Sequence, residues 1–230
     1  MNVAVILAGG KGLRLGSNIP KQMLTLGPKP VISWSVDTFH KLGLIDKIIM
    51  VSEISLMDEI KGLFPQKDYP KISSFVEGGA ERSDSSWNAL ISDRFDDNDI
   101  FLFHDAARPF VSEEIIVALI DKVKVTGACG TYVRATDTIA IVNNSIVKYI
   151  PERNSVYSAQ TPQGFRYNLI KKAHLYQKDM NNITVTDDVS LVVNMGHEVT
   201  IIEGTYDNIK ITTESDLSFA QFKISGGNKC

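Results

Sequence analysis

Four times in its first 125 residues the chain passes through a short β-branched apolar run and then an amphipathic stretch. The runs fall at residues 3–7, 47–51, 72–76 and 100–103. Apolar residues spaced three and four apart predict helices over 31–42, 56–63, 83–92 and 113–125. Such alternation builds an α/β fold, a mostly parallel sheet covered by helices on both faces. Ligands of these sheets bind beyond the carboxyl ends of the strands, where the strand order reverses. Three polar clusters follow strands at that edge: residues 8–21, 78–85 and 104–109.

Past residue 133 the pattern changes. Residues 136–150 alternate apolar and polar side chains around Asn143-Asn144, which predicts a β-hairpin. A two-stranded ribbon is marginal alone and needs support, such as a second subunit. Helices are expected near 166–177 and 186–194, strands at 198–203 and 209–212, and a closing helix from 214. With no repeat or linker, 230 residues read as one domain, 1–230, carrying an arm at about 134–157. A formal net charge of −3 offers no basic field for nucleic acid. Cys129 and Cys230 make neither a disulfide framework nor a metal cluster, so a cytoplasmic protein with free thiols is expected. The apolar run at 3–8 is too short for a signal segment or a membrane span.

The first cluster reads Leu7-Ala8-Gly9-Gly10-Lys11-Gly12, with Arg14 beyond it and then Pro20-Lys21-Gln22. Bare backbone N–H groups at a strand end seat phosphates, and cations beyond them clamp a polyphosphate during reaction. Two commoner glycine loops fail on spacing. A P-loop would need glycine at Val5 and Ser or Thr at Gly12, and the dinucleotide fingerprint would need glycine at Leu15. A plain strand-to-helix turn is the other reading, but it needs neither Arg14 nor Lys21.

The remaining clusters each admit two readings. In His104-Asp105-Ala106-Ala107-Arg108-Pro109, Asp105 could hold Mg²⁺ through oxygen, or it could cap a helix or pair with an arginine. His104 beside an apolar strand reads as structural. The glycine turn before Ser85 could read a base edge, or simply open a helix capped by Ser83 and Asp84. Lys210, inside an expected apolar strand, either snorkels at the surface or crosses the sheet edge toward a phosphate. Thr186-Asp187-Asp188 is either a helix cap or part of a site.

Taken in order, the motifs are Leu-Ala-Gly-Gly-x-Gly-x-Arg, Pro-Lys-Gln, Gly-Gly-x-x-Arg-x-x-Ser, His-Asp-Ala-Ala-Arg-Pro, Gln-Thr-Pro-Gln-x-Phe, Thr-Asp-Asp and Asp-Asn-Ile-Lys-Ile-Thr. From residue 3 to about 222 the chain resembles the 2-C-methyl-D-erythritol 4-phosphate cytidylyltransferase family and its relatives, the ribitol-5-phosphate cytidylyltransferases. The resemblance implies a Rossmann-like sheet and a homodimer joined through the hairpin arm. Arg14 and Lys21 would grip the CTP triphosphate and stabilise the α-phosphate, with Lys210 near the phosphates. Leu7, Ala8, Gly9, Gly10, Lys11, Gly12, Gly79, Ala80, Arg82, Ser85, Asp105 and Ala106 would form the nucleotide pocket. Asp105 and Arg108 would stand beside Mg²⁺, or another divalent cation, and the acceptor phosphate; Asp207 would be a further metal neighbour. Thr138 and Arg153 would reach the partner's acceptor site, with Thr161 and Thr186 nearby.

The implied activity transfers CMP from CTP to a small polyol phosphate, methylerythritol phosphate before ribitol phosphate. Ala8-Gly9-Gly10 resembles the ribitol branch, whereas His104–Pro109 and Thr186-Asp187-Asp188-x-Ser190 resemble the methylerythritol branch. Ala80 stands where that branch commonly carries an acid. A nucleotide-binding regulator without catalysis is a different class; it would be expected to have lost Arg14, Lys21, Asp105 or Lys210, and all four are present.

Overall fold

The computed structural model describes residues 1–9, 19–180 and 185–226. In chain order the elements are β1 (Asn2–Leu7), β2 (Thr25–Leu26), β3 (Lys29–Pro30), α1 (Val31–Lys41), β4 (Lys47–Ser52), α2 (Met57–Leu63), β5 (Ile72–Glu77), α3 (Arg82–Leu90), β6 (Ile100–Asp105) and α4 (Glu113–Thr126). Then follow β7 (Ala128–Arg134), β8 (Ile141–Asn143), β9 (Ile146–Tyr149), β10 (Tyr157–Arg166), α5 (Tyr167–Asp179), α6 (Asp188–Asn194), β11 (Thr200–Glu203) and α7 (Glu214–Ile224).

Seven strands form one sheet in the order β11-β7-β10-β6-β1-β4-β5. β10 runs antiparallel to both its neighbours; the other pairings are parallel. Period-two alternation along β1 splits the core. Ala4 and Ile6 pack with Ile32, Val36 and Phe39 of α1 and the apolar face of α4. Val3, Val5 and Leu7 pack on the opposite side with α3, α5 and α6. The chain winds outward from β1 through β4 to β5, then returns to pair β6 with the other side of β1. The strand order therefore reverses between β1 and β6, where the ends of both strands converge on Leu7 and Asp105.

The α/β alternation of the first half forms as the sequence predicts. Two expectations change, and a segment given no assignment proves to be a strand. Residues 157–166 form a ten-residue strand in the middle of the sheet, although Gln160, Thr161 and Gln163 give it the polar look of a loop. Gly164 makes its close packing possible, since a Cβ there would meet Val123 Cγ2 at 2.8 Å. Residues 209–212 are not a strand: they join no sheet ladder, and the Ile211 N–H donates to the Ala107 carbonyl at 2.8 Å. Ile211 is buried beside Leu26, Val31 and Ala220, which is what its apolar pattern signalled. The hairpin forms, but its two-residue turn is Asn144-Ser145, both at positive φ (49° and 61°), one position beyond that expected. These signs fit a type I′ turn, whose twist matches the paired strands.

Candidate active site

Two cavities open at the carboxyl edge. The first, about 260 Å³, is lined by Leu7, Ala8 and Gly9 from the end of β1, Lys21 and Gln22, residues 79–82 with Ser85, residues 105–107 and Lys210. The second, about 190 Å³, is lined by Arg82, Asp105, Arg108, residues 159–161, Gln163, Thr186, Asp187 and Lys210. Arg82, Asp105 and Lys210 line both and so form the wall between them.

The turn entering α3 is built by close approach. A Cβ on Gly79 would lie 2.1 Å from Asp84 Cβ, so only glycine lets the chain pass there. The cap differs from expectation: Glu81 is the N-cap residue, and Asp84 accepts from the Glu81 N–H at 3.0 Å. Ser85 accepts from the Gly79 N–H at 3.1 Å and donates to the Glu81 carbonyl at 3.2 Å. Its hydroxyl therefore shapes the turn as well as lining the first cavity.

The dividing wall is a chain of charges. Lys210 Nζ lies 2.6 Å from Asp105 Oδ2, Arg82 Nε lies 3.2 Å from Asp105 Oδ1, and Arg82 Nη1 lies 2.5 Å from Asp188 Oδ2. Burial would push the Asp105 carboxyl up, but Arg82, Lys210 and Arg108 outweigh it and hold the group well below the usual carboxylate range. Burial works against the Arg82 charge too; Asp188 and then Asp105 reverse that and secure it. Arg108 is shifted down, first by burial and then by Arg82, against the opposing pull of Asp105.

Beneath the second cavity the Gln-Thr-Pro-Gln segment acts as a brace. Thr161 Oγ1 accepts from the Asp105 N–H at 3.0 Å and lies 3.2 Å from His104 Nδ1. His104 Nε2 lies 3.1 Å from the Arg108 carbonyl, which assigns a neutral ring protonated on Nε2. Burial lowers the His104 pKa to about 4, so it stays neutral and structural, as its sequence setting suggests. Arg108 donates to the Asn208 carbonyl at 2.7 Å and to the Ala159 carbonyl at 3.2 Å. Gln160 donates to the Thr205 carbonyl at 2.8 Å, and Asn208 to the Thr161 carbonyl at 2.9 Å, fixing the segment that carries Lys210. Gln163 donates to Asp187 at 2.7 Å and accepts from the Val189 N–H at 3.2 Å, fixing the start of α6.

The family model "IspD: 2-C-methyl-D-erythritol 4-phosphate cytidylyltransferase" matches residues 2–225. The chain belongs to this cytidylyltransferase family. A family relative from Clostridium perfringens (strain SM101 / Type A) is 43% identical over 221 residues, covering 95% of this chain and 96% of its own. One from Clostridium tetani is 38% identical, covering 96% of this chain and 89% of its own. Among solved structures, the 4-diphosphocytidyl-2C-methyl-D-erythritol synthase of Anaerococcus prevotii superposes with a TM-score of 0.84 at 30% identity, covering 97% of this chain and 96% of the other. The 2-C-methyl-D-erythritol 4-phosphate cytidylyltransferase (IspD) of Francisella tularensis gives 0.82 at 31%, covering 96% of this chain and 99% of the other.

Of the residues that the cytidylyltransferase resemblance singles out, Leu7, Ala8, Gly9, Lys21, Gly79, Ala80, Ser85 and Ala106 meet around the first cavity. Arg108, Thr161 and Thr186 meet around the second. Gly10, Lys11, Gly12 and Arg14 lie outside the described residues. Thr138 and Arg153 line neither cavity; Arg153 donates to Thr138 at 3.0 Å on the arm. Asp207 also lines neither, and its carboxylate pairs with Lys223 at 2.8 Å. Thr186-Asp187-Asp188 serves both readings: Asp187 caps α6 and Asp188 anchors Arg82. Sequence reasoning gave no separate role to Gln22, Gln160 or Gln163, because each matters through a partner outside its own segment.

The donor set suits Mg²⁺. Asp105 supplies a hard carboxylate where both cavities meet, and the two cations on it leave lone pairs uncommitted. Among the described residues no three His, Cys, Asp or Glu side chains form a metal cluster. Mg²⁺ commonly takes only one or two carboxylates and completes its shell with substrate phosphates and water.

Proposed function

We propose that the protein transfers CMP from CTP to 2-C-methyl-D-erythritol 4-phosphate, releasing pyrophosphate and forming 4-diphosphocytidyl-2-C-methyl-D-erythritol for isoprenoid precursor synthesis. The observation carrying this reading is the shared wall of Arg82, Asp105 and Lys210 between a cavity half lined by small and apolar residues and one lined almost wholly by polar side chains. CTP enters the first cavity, its base near Ala8 and the Gly79 turn and its triphosphate toward Lys21 and Lys210. The acceptor phosphate enters the second beside Arg108, Thr161 and Thr186.

An acceptor phosphate oxygen attacks the α-phosphorus; that P–O bond forms as the bond to the β-phosphate breaks, and pyrophosphate leaves with the electron pair. The acceptor is already a phosphate anion, so no conspicuous general base is required. Lys21 and Lys210 lower the repulsion between anions and stabilise charge on the α-phosphoryl group. Mg²⁺ held by Asp105 and the triphosphate would supply further Lewis-acid charge there.

The reading includes a homodimer. Ile141, Val142, Ile146, Val147 and Tyr149 are exposed along the hairpin, an apolar surface that an isolated ribbon leaves in water. A partner's arm would carry its Thr138 and Arg153 toward the second cavity. The reading also includes a cytosolic location, where CTP is made and a thiol such as Cys129 stays reduced. No helix among the described residues is long and apolar enough to cross a membrane.

Gly9 bears on the nucleotide side: it lines the first cavity and is absent from the lining of the second. The test is pyrophosphate release with CTP, UTP, GTP and ATP, each paired with methylerythritol 4-phosphate or ribitol 5-phosphate. Turnover is expected with CTP and methylerythritol phosphate. Turnover with ribitol phosphate alone would overturn the acceptor, and nucleotide binding without turnover would favour a regulator.

A further inference from the structure

Gln22 lies in a single 3-10 turn, Lys21–Met23, between a cation that lines the first cavity and a methionine in the core. It is 2% exposed, and its Nε2 donates to the Ala8 carbonyl at 2.6 Å. That carbonyl stands where the β1 ladder ends. The Ala8 N–H donates to the Val51 carbonyl at 2.7 Å, and the Leu7 carbonyl accepts from the Ala106 N–H at 3.0 Å. The other end of the amide, Oε1, is buried with no hydrogen-bond partner among the described residues. A buried amide is an expensive way to fill space, and methionine or leucine would fill the same volume with no polar group to satisfy. What the amide adds is the bond to Ala8.

We infer that Gln22 is a positioning residue that staples the turn bearing Lys21 to the strand end bearing Ala8 and Gly9. The inference rests on the cytidylyltransferase reading of the site. The staple joins the two sides of the glycine segment, residues 8 and 22, so the Lys21 ammonium and the backbone wall meet the nucleotide in one frame. Fixing that frame before binding removes an ordering cost from the complex and keeps the cation aligned with the α-phosphate. Gln22 needs no contact with substrate to do this.

The test compares Gln22→Met, which keeps the volume and loses the donor, with Gln22→Glu, whose carboxylate can donate to Ala8 only when protonated. Expected for Gln22→Met is a thermal midpoint near that of the unaltered enzyme and a fall in kcat of about tenfold or more, since small misplacements of catalytic groups act strongly on rate. Gln22→Glu should regain activity relative to Gln22→Met as pH is lowered, because protonation restores the donor. The doubly substituted Lys21→Ala, Gln22→Met enzyme should be no slower than Lys21→Ala alone. Unchanged kcat and KM in Gln22→Met, no pH-dependent recovery in Gln22→Glu, or multiplicative losses in the double variant would each overturn the inference. Should the unaltered protein turn over no acceptor, that result counts against the cytidylyltransferase reading; CTP affinity by calorimetry then decides the staple, with equal affinity in Gln22→Met overturning it.

Discussion

The two cavities share a wall but differ in what completes it. Half of the first cavity's lining is apolar or small, Leu7, Ala8 and Gly9, Gly79 and Ala80, Ala106 and Ala107, and the other half is polar, Lys21, Gln22, Glu81, Arg82, Ser85, Asp105 and Lys210. The second is nearly all functional side chains, Arg82, Asp105, Arg108, Gln160, Thr161, Gln163, Thr186, Asp187 and Lys210. A backbone wall can approach a flat base and a sugar closely, and it suits a ligand read by shape and by N–H and C=O groups. A lining of charged and hydrogen-bonding side chains suits a small phosphate whose charge dominates its binding. The difference teaches that the first cavity draws most of its lining from strand ends and the turns that follow them, whereas the second depends on segments returning from far along the chain.

The largest effect should come from Lys21→Ala, which removes charge from the first cavity. Turnover should fall on the order of 100-fold or more, as for the loss of a preorganised transition-state donor, with circular dichroism unchanged. A folded variant retaining near-normal turnover would break the assignment of the triphosphate to that cavity. Next, Arg108→Lys keeps a charge in the second cavity but loses the fork that donates to Asn208 and Ala159. Acceptor KM should rise about tenfold while CTP affinity stays put. A matching loss of CTP affinity, measured by calorimetry, would show that the two cavities do not divide the substrates.

An acid titration probes two buried histidines, His104 beneath the second cavity and His174 of α5 beside Trp87. Burial lowers both His104 and His174 to about 4 from the ordinary 6.5. Below pH 6.5 the unfolded chain takes up protons that the folded rings refuse until about pH 4. Each histidine therefore contributes stability that is fully present above 6.5 and lost as pH falls toward 4, on the order of 3 kcal/mol at most. The thermal midpoint should drop across that window, and less steeply in His174→Gln; an equal slope would remove His174 from the account. Smallest of all should be Gly9→Ala. A Cβ there would meet Ser85 Oγ at 3.9 Å, ordinary contact, so kcat/KM should change by less than about threefold. A change of acceptor preference in Gly9→Ala would tie the first cavity to acceptor choice and blur the division.

Much of this was legible beforehand because it is local. Gly9 and Gly79 stand two residues past β1 and β5, and Asp105 is the last residue of β6, so each is marked by the apolar run before it. Lys210 shows where legibility stops. Its alternation with Ile209 and Ile211 correctly separates a buried face from a polar one, yet Ile211 packs beneath α7 without a strand ladder, and Lys210 finds Asp105. β10 was hidden because its polar residues find buried hydrogen bonds only when β6, β7 and the segment at 205–208 surround them. Arg82 and Asp188, 106 residues apart, likewise have no common signature in one dimension.

By itself, the sequence determined the parallel sheet and the edge at which its glycine turns and charged residues gather, since hydrophobic period and glycine placement act over a few residues. Tertiary structure alone decided which charges oppose one another, that Asp105 stands between two cations, that Asp207 faces Lys223 instead, and that Gln22 closes the end of β1. Coulombic and hydrogen-bond energies depend on distance in space, and only the folded chain sets those distances.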